Sequence, residues 1–256
     1  MKLIKNTGLW AALGLSVIMI TSCEKKEEDE TKTTKTSTVN IEFEHTFNDA
    51  EFALNKQYTN PFGEQVSFSS VRYYISNIKF ESTDGTIWAE TESYHLLDLS
   101  DPGSLVLSVD KVPSGDYHAI TYTIGVDSTR NVSGAQEGAL DVKNNMFWTW
   151  NTGYIFAKFE GVSPQAANNS FAYHIGGFSG ENNAITSNTL HSHDHMIKVS
   201  PDASPELHIM VEMSHLFDGM HDIKVADLSG IHMPGMMAVH MAHNFSTCFS
   251  LDHIHD

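Results

Sequence analysis

Val39-Asn40-Ile41-Glu42-Phe43-Glu44-His45-Thr46-Phe47 alternates apolar and polar residues one for one. That period of two is the signature of a half-buried β-strand, with Val39, Ile41, Phe43, His45 and Phe47 on one face. His45 therefore points inward. Comparable runs follow at Val66–Phe68, Val71–Ile75, Ile78–Phe80, Tyr94–Leu99, Leu105–Val109, His118–Ile124, Tyr154–Phe159, Phe171–Ile175 and Leu207–Met213. Asp84-Gly85 and Ser114-Gly115 punctuate them as turns. Many short strands without an interleaved helical pattern predict an all-β fold, an antiparallel β-sandwich or barrel-like domain with long loops. One short C-terminal helix is expected after Pro234-Gly235, where Met237, Met241, Phe245 and Cys248/Phe249 recur at helical spacing and leave His240 and His243 on another sector. The terminal His253 and His255 read as a frayed end.

Working outward to the amino terminus, residues 1–22 read as a lipoprotein signal peptide. Lys2 and Lys5 form a basic start, and Leu9–Ile20 is an apolar run too short for a comfortable membrane span. Ile20-Thr21-Ser22-Cys23 resembles a bacterial lipobox, which makes Cys23 the lipidation site and the acyl chains a membrane anchor. Residues 23–38 are acidic and then Thr/Ser/Lys-rich, and so form a flexible tether to a single β domain over 39–256. The expected place is the cell envelope, lipid-anchored to the outer membrane on its periplasmic or surface-exposed face.

A formal charge of −17 excludes a nucleic-acid partner, which needs clustered Lys and Arg to displace counterions. Two cysteines cannot build a disulfide framework, and Cys248 between apolar neighbours reads as a small buried residue. Histidine and methionine carry the chemical signal. Twelve of the fifteen His lie from His174 onward, and eight of the eleven Met lie between Met196 and Met241. Imidazole suits copper and zinc while thioether selects soft Cu(I), so this mixture with almost no thiolate points to copper, as Cu(I).

Two clusters stand out. His191-Ser192-His193-Asp194-His195 would align three imidazoles on an extended chain, and His232-Met233-Pro234-Gly235-Met236-Met237 with His240 and His243 mixes imidazole with thioether. Each has a plain structural alternative, a loop with incidental metal affinity or Met packing beside solvated His. Trp148 and Trp150 lie one residue apart in Met146–Tyr154, where physics alone suggests core or a binding platform. His174 in Phe171–Gly177 falls on the face opposite its bulky neighbours.

Phe43-Glu44-His45, Tyr58-Thr59-Asn60-Pro61-Phe62-Gly63, Val71–Ile78, Gly125-Val126-Asp127, Met146–Tyr154 and His174-Ile175-Gly176-Gly177 resemble, in this order, the MbnP-like family. The resemblance implies an exported, β-rich, copper-binding protein related to secreted copper proteins of methane-oxidising bacteria and named for an association with methanobactin. It further implies that a Trp, here Trp148 or Trp150, is oxidised to kynurenine by a di-haem peroxidase-type partner. The new amine would bind copper with two His, matched by His174 and His45. The additional Cys of some members is missing here.

The leading expectation is thus a copper-binding lipoprotein for capture, storage or transfer, not an enzyme. The alternative is a surface lipoprotein whose sandwich binds a protein or glycan partner through exposed aromatics. A metallohydrolase is disfavoured because neither His-Glu-x-x-His nor a nucleophile elbow occurs.

Overall fold

The computed structural model describes residues 35–134, 136–148, 153–192 and 195–255. Cys23 with the leader, Trp150 and His193 lie outside the described residues. In chain order the first elements are β1 (Thr36–Phe47), β2 (Ala50–Glu51), β3 (Gln57–Thr59), β4 (Gln65–Ser82), β5 (Ile87–Ala89), β6 (Tyr94–Asp98), β7 (Val106–Pro113), β8 (Gly115–Ile124) and α1 (Ser128–Asn131). They continue with β9 (Phe147–Trp148), β10 (Gly153–Tyr154), β11 (Ala157–Val162), β12 (Ser170–Ile175), β13 (Thr186–His191), β14 (Ile197–Val199), β15 (Glu206–Glu212), α2 (His215–Asp218), β16 (Gly230–Ile231), α3 (Met236–Ser246) and β17 (Phe249–His255).

The alternation of β1 is realised: Val39, Ile41, Phe43, His45 and Phe47 are buried, and the residues between them are not. β1 sits inside a sheet ordered β17-β15-β1-β2, with β7 also paired to β1. The larger sheet runs β13-β8-β4-β11-β12-β16, with β14 on β8 and with β3, β5 and β6 along β4. The apolar faces of the two sheets meet in an aromatic core. Phe43 packs edge-on against Tyr73, Tyr122 and Phe249, while Phe245 of α3 contacts Tyr73, Phe159 and Phe249. Each such pair contributes about 0.5–1.5 kcal/mol beyond the area it buries.

The all-β reading holds, with four differences of detail. Val66–Phe68, Val71–Ile75 and Ile78–Phe80 join into the single strand β4, which shifts register between Ser76 and Lys79 around Asn77 at φ 54°. Asn tolerates that left-handed conformation, so the strand bends without ending. Two pairings are parallel, β1 with β15 and β12 with β16, because these partners are far apart in sequence and no hairpin dictates their direction. Met237 is exposed on the first turn of α3 while Met241 and Phe245 are buried, and Phe249 belongs to β17, so the apolar stripe is shorter than its spacing suggested. The carboxyl terminus is not frayed: His253 and His255 are paired within β17 against β15.

Two of the sequence motifs prove to be structural fasteners. Asn60 Oδ1 accepts the backbone N–H groups of Phe62 and Glu64, and Gly63 takes φ 79°. The Glu64 carboxylate then accepts the N–H groups of Val225 and Ala226 at 2.8 Å each, tying the loop before β16 to the larger sheet. Asp127 caps α1 by accepting the Arg130 N–H and is also bonded by the Tyr94 hydroxyl.

Candidate metal centre

β12 presents its residues in strict alternation, Phe171, Tyr173 and Ile175 buried, Ala172 and His174 on the other face. Across the sheet His174 pairs with Lys158 of β11. His174 Nε2 lies 2.7 Å from Glu160 Oε1. A carboxylate only accepts, so Nε2 carries the proton and Nδ1 keeps its lone pair. Lys158 Nζ holds the same Glu160 oxygen at 3.3 Å. Burial lowers the His174 pKa, the hydrogen bond it donates to Glu160 opposes this, and Lys158 and His232 push it down further. The net direction favours a neutral imidazole, the form that binds metal.

β16 supplies the neighbour. It runs parallel to β12, with Tyr173 opposite Ile231, and Tyr173 donates its hydroxyl to Leu228 O at 2.6 Å. The next residue, His232, brings its ring to 5.4 Å from that of His174, nearly perpendicular to it. Met233, Met236 and Met237 are exposed on the segment that follows.

Trp148 closes the other side. It is 5% exposed, on the small β9–β10 hairpin in which Trp148 faces Gly153. A Cβ placed on Gly176, two residues beyond His174, would fall 2.6 Å from the Trp148 ring, so only glycine lets the indole lie there. Gly177 has φ 121°, and a Cβ on it would come 3.0 Å from Pro234. Trp148, Gly177, Phe178 and Pro234 line a cleft of about 240 Å³. The chain thus carries His174 two residues ahead of the glycine that receives Trp148, and His232 two residues ahead of the Pro234 that lines the cleft. A buried Trp148 offers no open aromatic platform at this position.

The other candidate ligands are distributed elsewhere. His45 lies on the smaller sheet, where its Nε2 shares a 3.0 Å hydrogen bond with the Tyr73 hydroxyl. Burial lowers its pKa to about 4, against a raising contribution from the Phe43 backbone. It borders a groove of about 640 Å³ lined also by Phe52, Leu99 and Leu105. His191 stacks on His118 with ring centroids 6.0 Å apart, and both His191 and His195 line a cleft with His253. His240 and His243 of α3 meet His221, a residue that the sequence did not single out. His221 stacks on His240 at 3.9 Å, and its Nε2 is 3.5 Å from His243 Nδ1. The fully buried Asn244 side chain holds that loop, accepting the N–H groups of Met220 and His221 and donating to Leu216 O and His221 O. No local pattern around His221 could have announced this, because the partner that positions it lies on a helix far along the chain. Burial pushes the Cys248 thiol far above its ordinary value and keeps it unreactive.

Residues 36–237 match the family model for MbnP. The chain belongs to the MbnP family. Its fold is also similar to that of MbnP from Methylosinus trichosporium, with a TM-score of 0.58 and 14% identity over 85% of this chain and 98% of that one. No curated protein matches it significantly. The MbnP match includes His45, Trp148, His174 and His232 and ends at residue 237, so His240, His243, His253 and His255 lie beyond it.

Proposed function

We propose that this MbnP-family chain binds copper outside the cytoplasm, to capture, store or transfer it, without catalytic turnover of its own. The observation that carries the reading is the pairing of a carboxylate-oriented His174, two residues before the Gly176 against which Trp148 packs, with His232 at 5.4 Å between ring centroids. The carboxylate–imidazole arrangement is the one that fixes the tautomer of metal-binding histidines. His174 and His232, followed in the chain by the exposed Met233, Met236 and Met237, offer donor types suited to soft Cu(I). His45 is not brought to this edge: it is bonded to Tyr73 on the buried face of the larger sheet, whereas His174 stands on the opposite face.

Conversion of Trp148 or Trp150 to kynurenine would add an aromatic amine to this set, since an indole nitrogen has its lone pair committed to the ring. Two oxygen atoms add across the indole C2–C3 bond, and hydrolysis then releases the formyl carbon as formate. The product has one oxygen more and one carbon fewer than Trp. A di-haem protein of the peroxidase type, using peroxide as oxidant, is the expected agent. Cys23 would carry the lipid that anchors the domain to the outer membrane.

Competition with a chromophoric Cu(I) chelator tests the reading, using tag-free protein. Wild type should withdraw one equivalent of Cu(I) from the chelator. The double variant His174→Ala/His232→Ala should lose more than about 10-fold in affinity, the scale on which even outer-shell partners act. Equal retention by both proteins would refute the site.

A further inference from the structure

Three more imidazoles meet at the opposite end of the chain's pairing scheme. On β15, Leu207, Ile209 and Val211 face the core, so His208 stands on the outer face of the smaller sheet. β17 pairs antiparallel to β15, with Phe249 opposite Val211 and Leu251 opposite Ile209, both directed to the core. Continued alternation would send His253 inward as well. It does not, because the register shifts between His208 and Ile209 and leaves Asp252 as an extra residue, a β-bulge that reverses the phase of the strand. His253 then lies opposite His208, Ile254 opposite Leu207 at the core, and His255 on the same outer face as His253.

The resulting cluster has the properties of a metal site. The rings of His208 and His253 stack at 4.1 Å, and His255 stands nearly perpendicular to both at 5.0 and 4.7 Å. One ring nitrogen from each of the three lies within 4.8 Å of the others. His208 Nδ1 is 2.8 Å from Glu44 Oε1, and His253 Nδ1 is 2.7 Å from Asp252 Oδ2. Each carboxylate can only accept, so in both rings the proton sits on Nδ1 and the Nε2 lone pair is left for another partner. The buried His208 Nε2 has none among the described residues. His253 Nε2 and His255 Nε2 stand 3.1 Å apart, close to the roughly 3.3 Å expected between nitrogens bound at 2.0–2.1 Å to one tetrahedral ion. His253 and His255 are themselves exposed, and His253 also lines a cleft of about 350 Å³ with His191 and His195.

We infer that His208, His253 and His255 form a second metal site, separate from the His174 edge and selective for a borderline divalent ion, Zn²⁺ or Cu²⁺. Three imidazoles without sulfur favour such ions over Cu(I). Glu44 and Asp252 act as positioning residues that fix two of the ligand tautomers. Two of the three ligands lie beyond the segment matched to the family, so this site stands independently of the copper reading.

Zn²⁺ is the redox-silent probe. Tag-free protein stripped with a chelator should take up one equivalent by equilibrium dialysis at neutral pH. His253→Ala/His255→Ala should abolish that equivalent, and Glu44→Ala should weaken it by about 10-fold or more. Both altered histidines are exposed, so folding should survive, as an unchanged circular dichroism spectrum would confirm. His174→Ala/His232→Ala should leave Zn²⁺ uptake intact, which separates this site from the copper edge. Replacing Zn²⁺ with Cu²⁺ should give the same pattern among the variants. Undiminished uptake of both ions by His253→Ala/His255→Ala, or no uptake of either by wild type, would overturn the inference.

Discussion

At the scale of single residues, carboxylates decide what the imidazoles can do. Glu160 orients His174 and is itself held low: burial raises its pKa, but the hydrogen bond from His174 and the charge of Lys158 outweigh that. Glu160→Ala should therefore reduce Cu(I) affinity by about 10–100-fold in chelator competition while the fold persists. Glu212 plays a purely structural part. Burial raises its pKa, yet hydrogen bonds from Ser214, Asp49 and Asn48 bring it down to about 2 from an ordinary 4.5. A depressed carboxylate stabilises the fold above its unfolded value and ceases to do so as pH falls through its folded value. Urea midpoints should consequently drop between about pH 4.5 and pH 2, and Glu212→Gln should flatten that part of the profile. The inward direction of His45 was legible from alternation alone. The hydroxyl that meets it was not, because Tyr73 lies on the other sheet.

At the scale of elements, close approach and changes of phase place the chemistry. Gly176→Ala would drive a methyl group into the Trp148 ring and the Tyr154 carbonyl. Overpacking of this kind costs about 1–3 kcal/mol. A lowered melting temperature with altered Trp fluorescence would register it, and an unchanged melt and spectrum would disprove the contact. β1 and β12 could be read from the sequence because each keeps period two throughout. β17 could not, since the extra residue at Asp252 reverses its faces and conceals why His253 and His255 belong with His208. In α3, helical spacing located the helix but overstated its apolar stripe, because the first turn extends past the core and leaves Met237 in water.

At the scale of the molecule, the all-β class followed from many short alternating runs, whereas the parallel pairing of β1 with β15 is a non-local choice with no local signal. That pairing brings Glu42 and Glu44 beside His208 and so connects the start of the domain to its end. The lipobox-like stretch Ile20–Cys23 is the ground for proposing that the domain is tethered to a membrane. Cys23→Ser should shift the protein from the membrane fraction to the soluble fraction of its host, and continued membrane retention would contradict the anchor. The central claim is that copper occupies the His174–His232 edge. Anomalous diffraction at the copper edge, from crystals loaded with one equivalent of Cu(I) under reducing conditions, tests it most directly. The account predicts the strongest peak within about 2 Å of nitrogens from both His174 and His232; a dominant peak elsewhere, with none between these rings, would contradict it.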